Sequence, residues 1–115
     1  MGLGRRAAIS TADDLARYVE ALVDGGLLSP AMQQARLASI RPTGPGPGSA
    51  GYGFHIAKFG PMIGHDGQFP GFMTFMGRDP EQRNTVVVLT SIFNGPLGQQ
   101  PANELARSII AALYP

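Results

Sequence analysis

The sequence contains a histidine and a glycine separated by a single residue, and these two are its strongest candidates for an active site. His65, Asp66 and Gly67 follow a short apolar run, and Pro70-Gly71-Phe72 leads into the next one. Histidine changes charge near neutral pH, so it can take up or release a proton during a reaction. Glycine has no Cβ, so the backbone at Gly67 can approach a bound group closely. This His-x-Gly turn is the feature from which function is best argued.

Other reactive residues are scarce. The chain has no cysteine, which excludes disulfides, thiolate nucleophiles and cysteine-ligated zinc. His55, His65 and Asp66 have no recognised metal-ligand spacing, so we expect neither a metal nor a cofactor. Ser91 and Ser108 are isolated from any base in the sequence, which makes them poor candidates for a nucleophile.

The composition narrows the possible partners. Nine Lys and Arg residues against eight Asp and Glu give a net charge of +1, with no basic block. Binding to nucleic acid needs a concentrated positive surface, so we expect no nucleic-acid partner. No run approaches the roughly 18 apolar residues of a membrane span. Residues 1–6 carry charge but no apolar segment follows, so we expect no signal peptide, and the compartment stays open.

Capping residues and an apolar stripe predict a helix near the start of the chain. Ser10 or Thr11 is the expected N-cap, and Gly25 is the expected end. The stripe predicts that one helix face, including Tyr18, lies in the core: Leu15, Tyr18, Val19, Leu22 and Val23.

Two further helices are predicted from proline positions. Ser29-Pro30 supplies an N-cap and first residue for a second helix that runs to about Ile40. Pro101 begins the final helix, whose apolar stripe is Leu105, Ile109, Ile110 and Leu113.

Alternation and β-branched runs predict four strands between the second and third helices: 52–57, 62–65, 72–76 and 85–90. The flexible Pro/Gly loop 41–51 precedes them and is expected to hold no regular hydrogen bonding. Asp66-Gly67 is the predicted turn after the second strand, and 78–82 is a hairpin loop. The last strand is apolar on both faces, which favours a central position. The order α-α-β-β-β-β-α with short connections predicts an α+β domain over residues 1–115, an antiparallel sheet with packed helices.

Several phrases occur in an order that resembles one enzyme family. They are Ser10-Thr11-Ala12-Asp13-Asp14-Leu15-Ala16-Arg17-Tyr18, Gly25 to Ser29, Gly51-Tyr52-Gly53-Phe54, Gly64 to Phe72, and Asp79-Pro80-Glu81 before the Val-rich run. This ordered set resembles the serine β-lactamase and penicillin-binding-protein group, which includes class C β-lactamases, D-Ala-D-Ala carboxypeptidases and esterases. The resemblance implies a partial β-lactamase/transpeptidase-like fold and acyl transfer through a seryl-enzyme.

The resemblance covers only the third of the family's three active-site motifs. His65-Asp66-Gly67 matches the Lys/His-x-Gly strand. Lys58 is the sole lysine and His55 stands three residues before it, so no Ser-x-x-Lys is present. None of the three tyrosines begins a Tyr-x-Asn. We therefore expect a C-terminal portion whose other motifs lie upstream of Met1, and which is inert alone.

The resemblance also implies roles for the residues of the third motif. His65 would place a polarising ring in the cleft, and Gly67 would admit the acyl group. The backbone amide of Gln68 would be one of the two oxyanion donors. Asp66 and Phe69 would contact substrate. Asp66 departs from the commoner Thr or Ser, and its carboxylate favours an uncharged ester or amide over a β-lactam or D-Ala-D-Ala peptide.

A second interpretation remains open: a non-catalytic binding or oligomerisation module derived from the same fold. The sheet of this family includes N-terminal strands, so their absence predicts an exposed sheet edge and apolar patch. The expected partners are a small acyl substrate in the parent enzyme, and either a second copy or the missing N-terminal half. Without the resemblance, a half-buried strand position would be the simplest account of His65.

Overall fold

Three helices form where the caps predict them: α1 Ala12–Asp24, α2 Pro30–Ala38 and α3 Pro101–Leu113. The computed structural model describes residues 8–46, 49–92 and 100–115. The Thr11 hydroxyl accepts a hydrogen bond from the Asp14 amide at 3.2 Å, and Ser29 caps α2 in the same way through Met32 at 3.3 Å. Within those ranges no helix is long and apolar enough to cross a bilayer.

One antiparallel sheet of six strands in chain order lies between the second and third helices. The strands are β1 Arg41–Pro42, β2 Gly51–Tyr52, β3 Ala57–Phe59, β4 Met62–Phe69, β5 Phe72–Arg78 and β6 Thr85–Thr90. The α+β prediction is confirmed, but four strands were predicted and the described residues form six. The ends of the 41–51 loop pair with each other as β1 and β2, so the prediction of no regular hydrogen bonding there was wrong.

The predicted strand 52–57 is interrupted because α2 binds its middle. Arg36 donates to the carbonyl oxygens of Phe54 at 3.0 Å and His55 at 2.8 Å, and the Ser39 hydroxyl accepts from the Phe54 amide at 2.9 Å. His55 takes a positive φ of 51°, and Phe54 is 71% exposed. Of the three residues that alternation assigns to one face, Ile56 is buried, whereas Tyr52 and Phe54 are exposed.

The turn after the third-motif residues lies later than predicted. Asp66 and Gly67 are paired within the ladder, opposite Phe75 and Thr74. The chain reverses at Pro70-Gly71, where Gly71 has a φ of 87°. Proline followed by a glycine with positive φ suits a type II turn. Pairing of residues 63–69 with 72–78 places the turn at Pro70-Gly71, and Asp66-Gly67 is left inside the strand.

Helices cover both faces of the sheet. On the helix-1 face, Val19, Leu22 and Val23 of α1 pack with Ile63 and Met76. The helix-3 face is a second cluster between the sheet and α3: Met62, Met73, Phe75, Val86, Val88, Ala102 and Ala106. β6 has apolar side chains on both faces, yet among the described residues it pairs only with β5. It is an edge strand of the described sheet, so the prediction of a central position was wrong.

Two helix stripes are less buried than predicted. Tyr18 is 46% exposed and is not a core residue. Leu105 and Leu113 of α3 are also exposed, and Ala102 and Ala106 occupy the buried side instead. Alanine allows the helix to approach the sheet closely, so the larger side chains remain at its flanks.

A polar cluster ties the β5–β6 connection to α1. Arg78 is 5% exposed and donates to one oxygen of Asp24 at 3.1 and 2.7 Å. It also donates to the Arg83 carbonyl at 2.7 Å and to the Thr85 hydroxyl at 3.1 Å. The hydrogen bond to Asp24 is the main reason that the pKa of Arg78 is raised.

The same connection is tied to α3 through Asp79, which is 3% exposed. Its carboxylate accepts from the amides of Glu81 at 2.8 Å and Gln82 at 3.2 Å, and from the Tyr114 hydroxyl. The bond from Tyr114 is the largest cause that lowers the pKa of Asp79. Burial, and then this bond, raises the pKa of Tyr114.

Candidate active-site strand

The second half of β4 has an open edge. β3 pairs with β4 only from Met62 to Gly64, whereas β5 pairs with β4 from Ile63 to Phe69. Within the described residues, therefore, the segment 65–69 has a paired edge toward β5 and an unpaired edge on the other side. All five predicted site residues belong to this segment.

The hairpin determines which backbone groups point to that open edge. Phe69 and Phe72 close a two-residue hairpin, so they exchange hydrogen bonds with each other. Hydrogen-bonded and non-hydrogen-bonded pairs alternate along an antiparallel ladder, so Gln68 and Met73 form a non-hydrogen-bonded pair. The amide and carbonyl of Gln68 consequently point away from β5. The β3–β4 ladder is consistent with this assignment. The backbone groups of Gly64, four residues before Gln68, also point away from β5, and Gly64 pairs with Ala57 of β3.

Alternation separates the predicted site residues between the two faces. Gly67 and Phe69 share the helix-1 side with His65, and the side chains of Asp66 and Gln68 lie on the helix-3 side. The Asp66 carboxylate accepts a hydrogen bond from Asn103 of α3 at 3.0 Å. Gln68 is exposed and Phe69 is partly buried. The structure thus brings the five together on one strand end but divides their side chains.

The His65 ring lies along the open edge. Its Nδ1 contacts the carbonyl oxygen of Asp66, and its Nε2 lies 3.3 Å from the Tyr52 hydroxyl oxygen. The Tyr52 and His65 rings meet edge to face, with centroids 5.8 Å apart. The His65 side chain is 34% exposed, and a carboxylate oxygen of Asp66 lies 4.0 Å from Nδ1.

Tyr52 and Asn103 are site neighbours that sequence reasoning missed. Tyr52 pairs with Ala57, and Ala57 pairs with Gly64, so two ladders bring Tyr52 beside His65. The Gly-Tyr-Gly phrase belongs to the family order, but the sequence does not reveal the strand register that brings Tyr52 to His65. Nothing in the sequence links Asn103 to Asp66.

The hairpin end of the helix-1 face carries no helix among the described residues. Phe72 is 57% exposed and Leu89 is 43% exposed, and both lie on this side. The α1 cluster reaches only as far as Ile63 and Met76. The open edge of β4 therefore borders an uncovered and partly apolar sheet surface.

Two glycines of β4 serve different purposes. A Cβ on Gly64 would lie 2.0 Å from the Met76 carbonyl oxygen, so the backbones of β4 and β5 approach too closely for any side chain there. A Cβ on Gly67 would lie 2.7 Å from the Thr74 hydroxyl, the mobile end of a side chain. Gly64 is thus required by packing, and Gly67 much less so.

The arrangement can offer an N–H donor and an imidazole to a group that lies along the strand. Among the residues that the structure describes, no three His, Asp or Glu side chains form a cluster able to hold a metal ion.

Comparison with known proteins places the chain in a family. The family model described as Beta-lactamase matches residues 2–111, and the chain therefore belongs to the Beta-lactamase family. Searches of curated proteins and of solved structures returned no significant match. The predicted resemblance is confirmed at the level of the family.

Proposed function

We propose that this chain supplies the oxyanion-donor wall of a serine acyl-transfer site. The observation that carries the proposal is the open edge of β4. There the Gln68 amide points away from the ladder, beside His65 and next to Gly67. A preorganised backbone donor of this kind stabilises the negative charge that develops on a carbonyl oxygen, typically by about 3 to 4 kcal/mol.

The nucleophile is proposed to come from residues outside this sequence. The chain contains no Ser-x-x-Lys and no Tyr-x-Asn. A donor wall without a nucleophile can bind an acyl group but cannot form a seryl ester with it. The family pattern provides those two motifs upstream, so we propose that the chain is the C-terminal part of the hydrolase and is inert alone.

The proposed substrate is an uncharged ester or amide in an extended conformation. An unpaired strand edge can bind an extended backbone as an added strand. The carboxylate of Asp66 stays within 4.0 Å of the His65 ring, so it would repel a substrate carboxylate at that point. A β-lactam or a D-Ala-D-Ala peptide carries such a group, and a simple ester does not.

The test is reconstitution with a polypeptide that carries the two missing motifs. The chain is assayed alone and in the mixture, with nitrocefin and a p-nitrophenyl ester as substrates. We expect hydrolysis only in the mixture, with the ester preferred. A stoichiometric acyl-enzyme on the chain alone would overturn the proposal.

A pair of substitutions at one position isolates the amide donor. Gln68→Pro removes the N–H but breaks no ladder bond, because this amide points to the open edge. Gln68→Ala keeps the N–H and serves as the matched control. In the active mixture, we expect kcat to fall about 100-fold or more for proline relative to alanine. Equal rates for the two variants would exclude Gln68 as the donor.

The alternative function is a non-catalytic assembly module, and the edge position of β6 favours it. β6 pairs only with β5 among the described residues, and Leu89 of this strand is exposed. An unpaired edge strand is a template for pairing with another chain. Light scattering at several concentrations tests this, since a stable dimer that ignores the added polypeptide would support the module and a monomer would oppose it.

A further inference from the structure

The contacts of the His65 ring determine where its proton lies. Nδ1 contacts the Asp66 carbonyl oxygen, which can only accept a hydrogen bond. Nδ1 must therefore be the protonated nitrogen of the neutral ring. Nε2 then carries a lone pair, and the Tyr52 hydroxyl at 3.3 Å is its donor.

The Asp66 carbonyl is available for this contact because of the strand register. Asp66, like Gln68, belongs to a non-bonded pair of the β4–β5 ladder, so its carbonyl points to the open edge. β3 does not extend this far along β4, which leaves the carbonyl to the imidazole of the preceding residue. Tyr52 crosses the end of β3 to reach the other nitrogen.

We propose that Tyr52 is a positioning residue for His65, which holds the ring in the Nδ1–H tautomer and forms a proton-transfer pair with it. When the Tyr52 oxygen takes up a proton from solvent, the phenol proton can pass to Nε2; Tyr52 is 45% exposed, so solvent reaches it. The O–H bond of Tyr52 breaks as the Nε2–H bond forms, and the phenol is left neutral. The product is an imidazolium whose Nδ1–H still donates to Asp66.

One carboxylate lies close to the ring. A carboxylate oxygen of Asp66 lies 4.0 Å from Nδ1. Both side chains are about one-third exposed, so solvent reaches the ring. What the pair would do in acyl transfer rests on the proposed function, whereas its tautomer does not.

The test is a measurement of the side-chain ¹⁵N signals of the two histidines on the chain alone, at a pH where both rings are neutral. We expect a protonated-type signal at Nδ1 and an unprotonated-type signal at Nε2 for His65. His55 is exposed and provides an internal reference for a solvated ring. In Tyr52→Phe, the fraction of His65 in the Nε2–H tautomer should rise, because the donor to Nε2 is gone.

Tyr18→Phe is the matched control. Tyr18 is 46% exposed and Tyr52 is 45% exposed, so each variant removes one similarly exposed hydroxyl and both should fold. A wild-type His65 that is mainly Nε2–H would overturn the proposal, and so would a tautomer ratio that Tyr52→Phe leaves unchanged. No nucleophile is needed for this measurement, so its failure and a failed reconstitution are separate results.

Discussion

At one end of the β4–β5 hairpin, Arg78 and Asp79 are buried and hydrogen-bonded to the helices, while at the other end Phe72 and Gln68 face solvent. Both ends belong to the same two strands. At the Arg78 end, α1 and α3 contact the connection that follows, whereas at the hairpin end β3 has stopped and α1 no longer covers the sheet.

The comparison shows that the two ends of one strand pair differ in burial and in hydrogen bonding. The Arg78 end fixes the helices to the sheet through buried charged groups, and the hairpin end leaves backbone N–H groups of β4 unpaired among the described residues. A site needs unpaired backbone groups, and such groups are tolerated only where solvent can reach them. We therefore expect the Arg78 end to contribute more to the stability of the fold than the hairpin end does.

Arg78→Ala should give the largest loss of stability. It leaves Asp24 and Glu20 without their cation, and breaking a buried ion pair typically costs about 3 kcal/mol or more. Both carboxylates are partly exposed and can regain water, so we expect the lower end of that range. The measurement is the free energy of unfolding in urea.

Arg17→Ala is the control for that loss. Arg17 pairs with Asp14 at 3.9 Å on the surface, with side chains 82% and 66% exposed. Its removal should change the free energy of unfolding by less than about 0.5 kcal/mol. Equal losses for the two arginines would contradict the proposed role of the Arg78 end.

Gly64→Ala should destabilise the chain by about 2 kcal/mol, because its Cβ would meet the Met76 carbonyl at 2.0 Å and the strands must shift. Gly67→Ala should cost much less, since the Thr74 hydroxyl can rotate away. Thermal unfolding of the two variants side by side measures the difference. A greater loss for Gly67→Ala would reverse the roles assigned to the two glycines.

Stability should depend on pH through Asp79. Its folded-state pKa is below the ordinary value of 3.8, mainly because Tyr114 donates to it. Its contribution is therefore complete above pH 3.8 and is lost as the pH falls through the folded-state pKa.

Tyr114→Phe keeps the Asp79 carboxylate but removes the largest cause of its lowered pKa. We expect less loss of unfolding free energy for this variant than for the wild type between neutral pH and about pH 3. The pKa of Tyr114 is raised above 10.0, so its own contribution is complete below pH 10.0 and is lost in strong alkali. If the free energy of unfolding of Tyr114→Phe falls with acid as much as that of the wild type, carboxylates other than Asp79 dominate the loss of stability in acid.

Thr11→Ala should have the smallest effect, about 1 kcal/mol, because it removes the N-cap of α1 but touches neither end of the hairpin. Ser10→Ala is its control, since Ser10 does not cap the helix amides. Urea unfolding should separate the two. A larger loss for Ser10→Ala would mean that the helix begins one residue earlier.

The sequence predicts helix ends well because capping is local. The Thr11 and Ser29 hydroxyls accept from amides three residues further on, and Pro101 fixes the backbone of the first helical residue, so no tertiary information is required. Strand ends were predicted less well, since Asp66-Gly67 and Pro70-Gly71 are both good turn pairs and only cross-strand pairing decides between them. The break at His55 depends on Arg36, which is distant in sequence.

Parts of the site could have been read from the sequence and parts could not. The motif identifies His65 and Gly67, and period-2 alternation puts them on one side of a strand. The opposite orientation of Asp66 follows from the same rule once the strand is continued to Phe69. The contact of Tyr52 with His65 requires the registers of two successive ladders, which composition and spacing do not contain.

The Pro70-Gly71 turn has a consequence for the evolution of this hairpin. It determines which amides of β4 enter the ladder and which face outward. Insertion of one residue between His65 and Pro70 would exchange the two sets of amides, even with every site residue retained. An odd change would also turn the side chains on the shifted part of β4 to the opposite face, so changes of length there should be tolerated in twos.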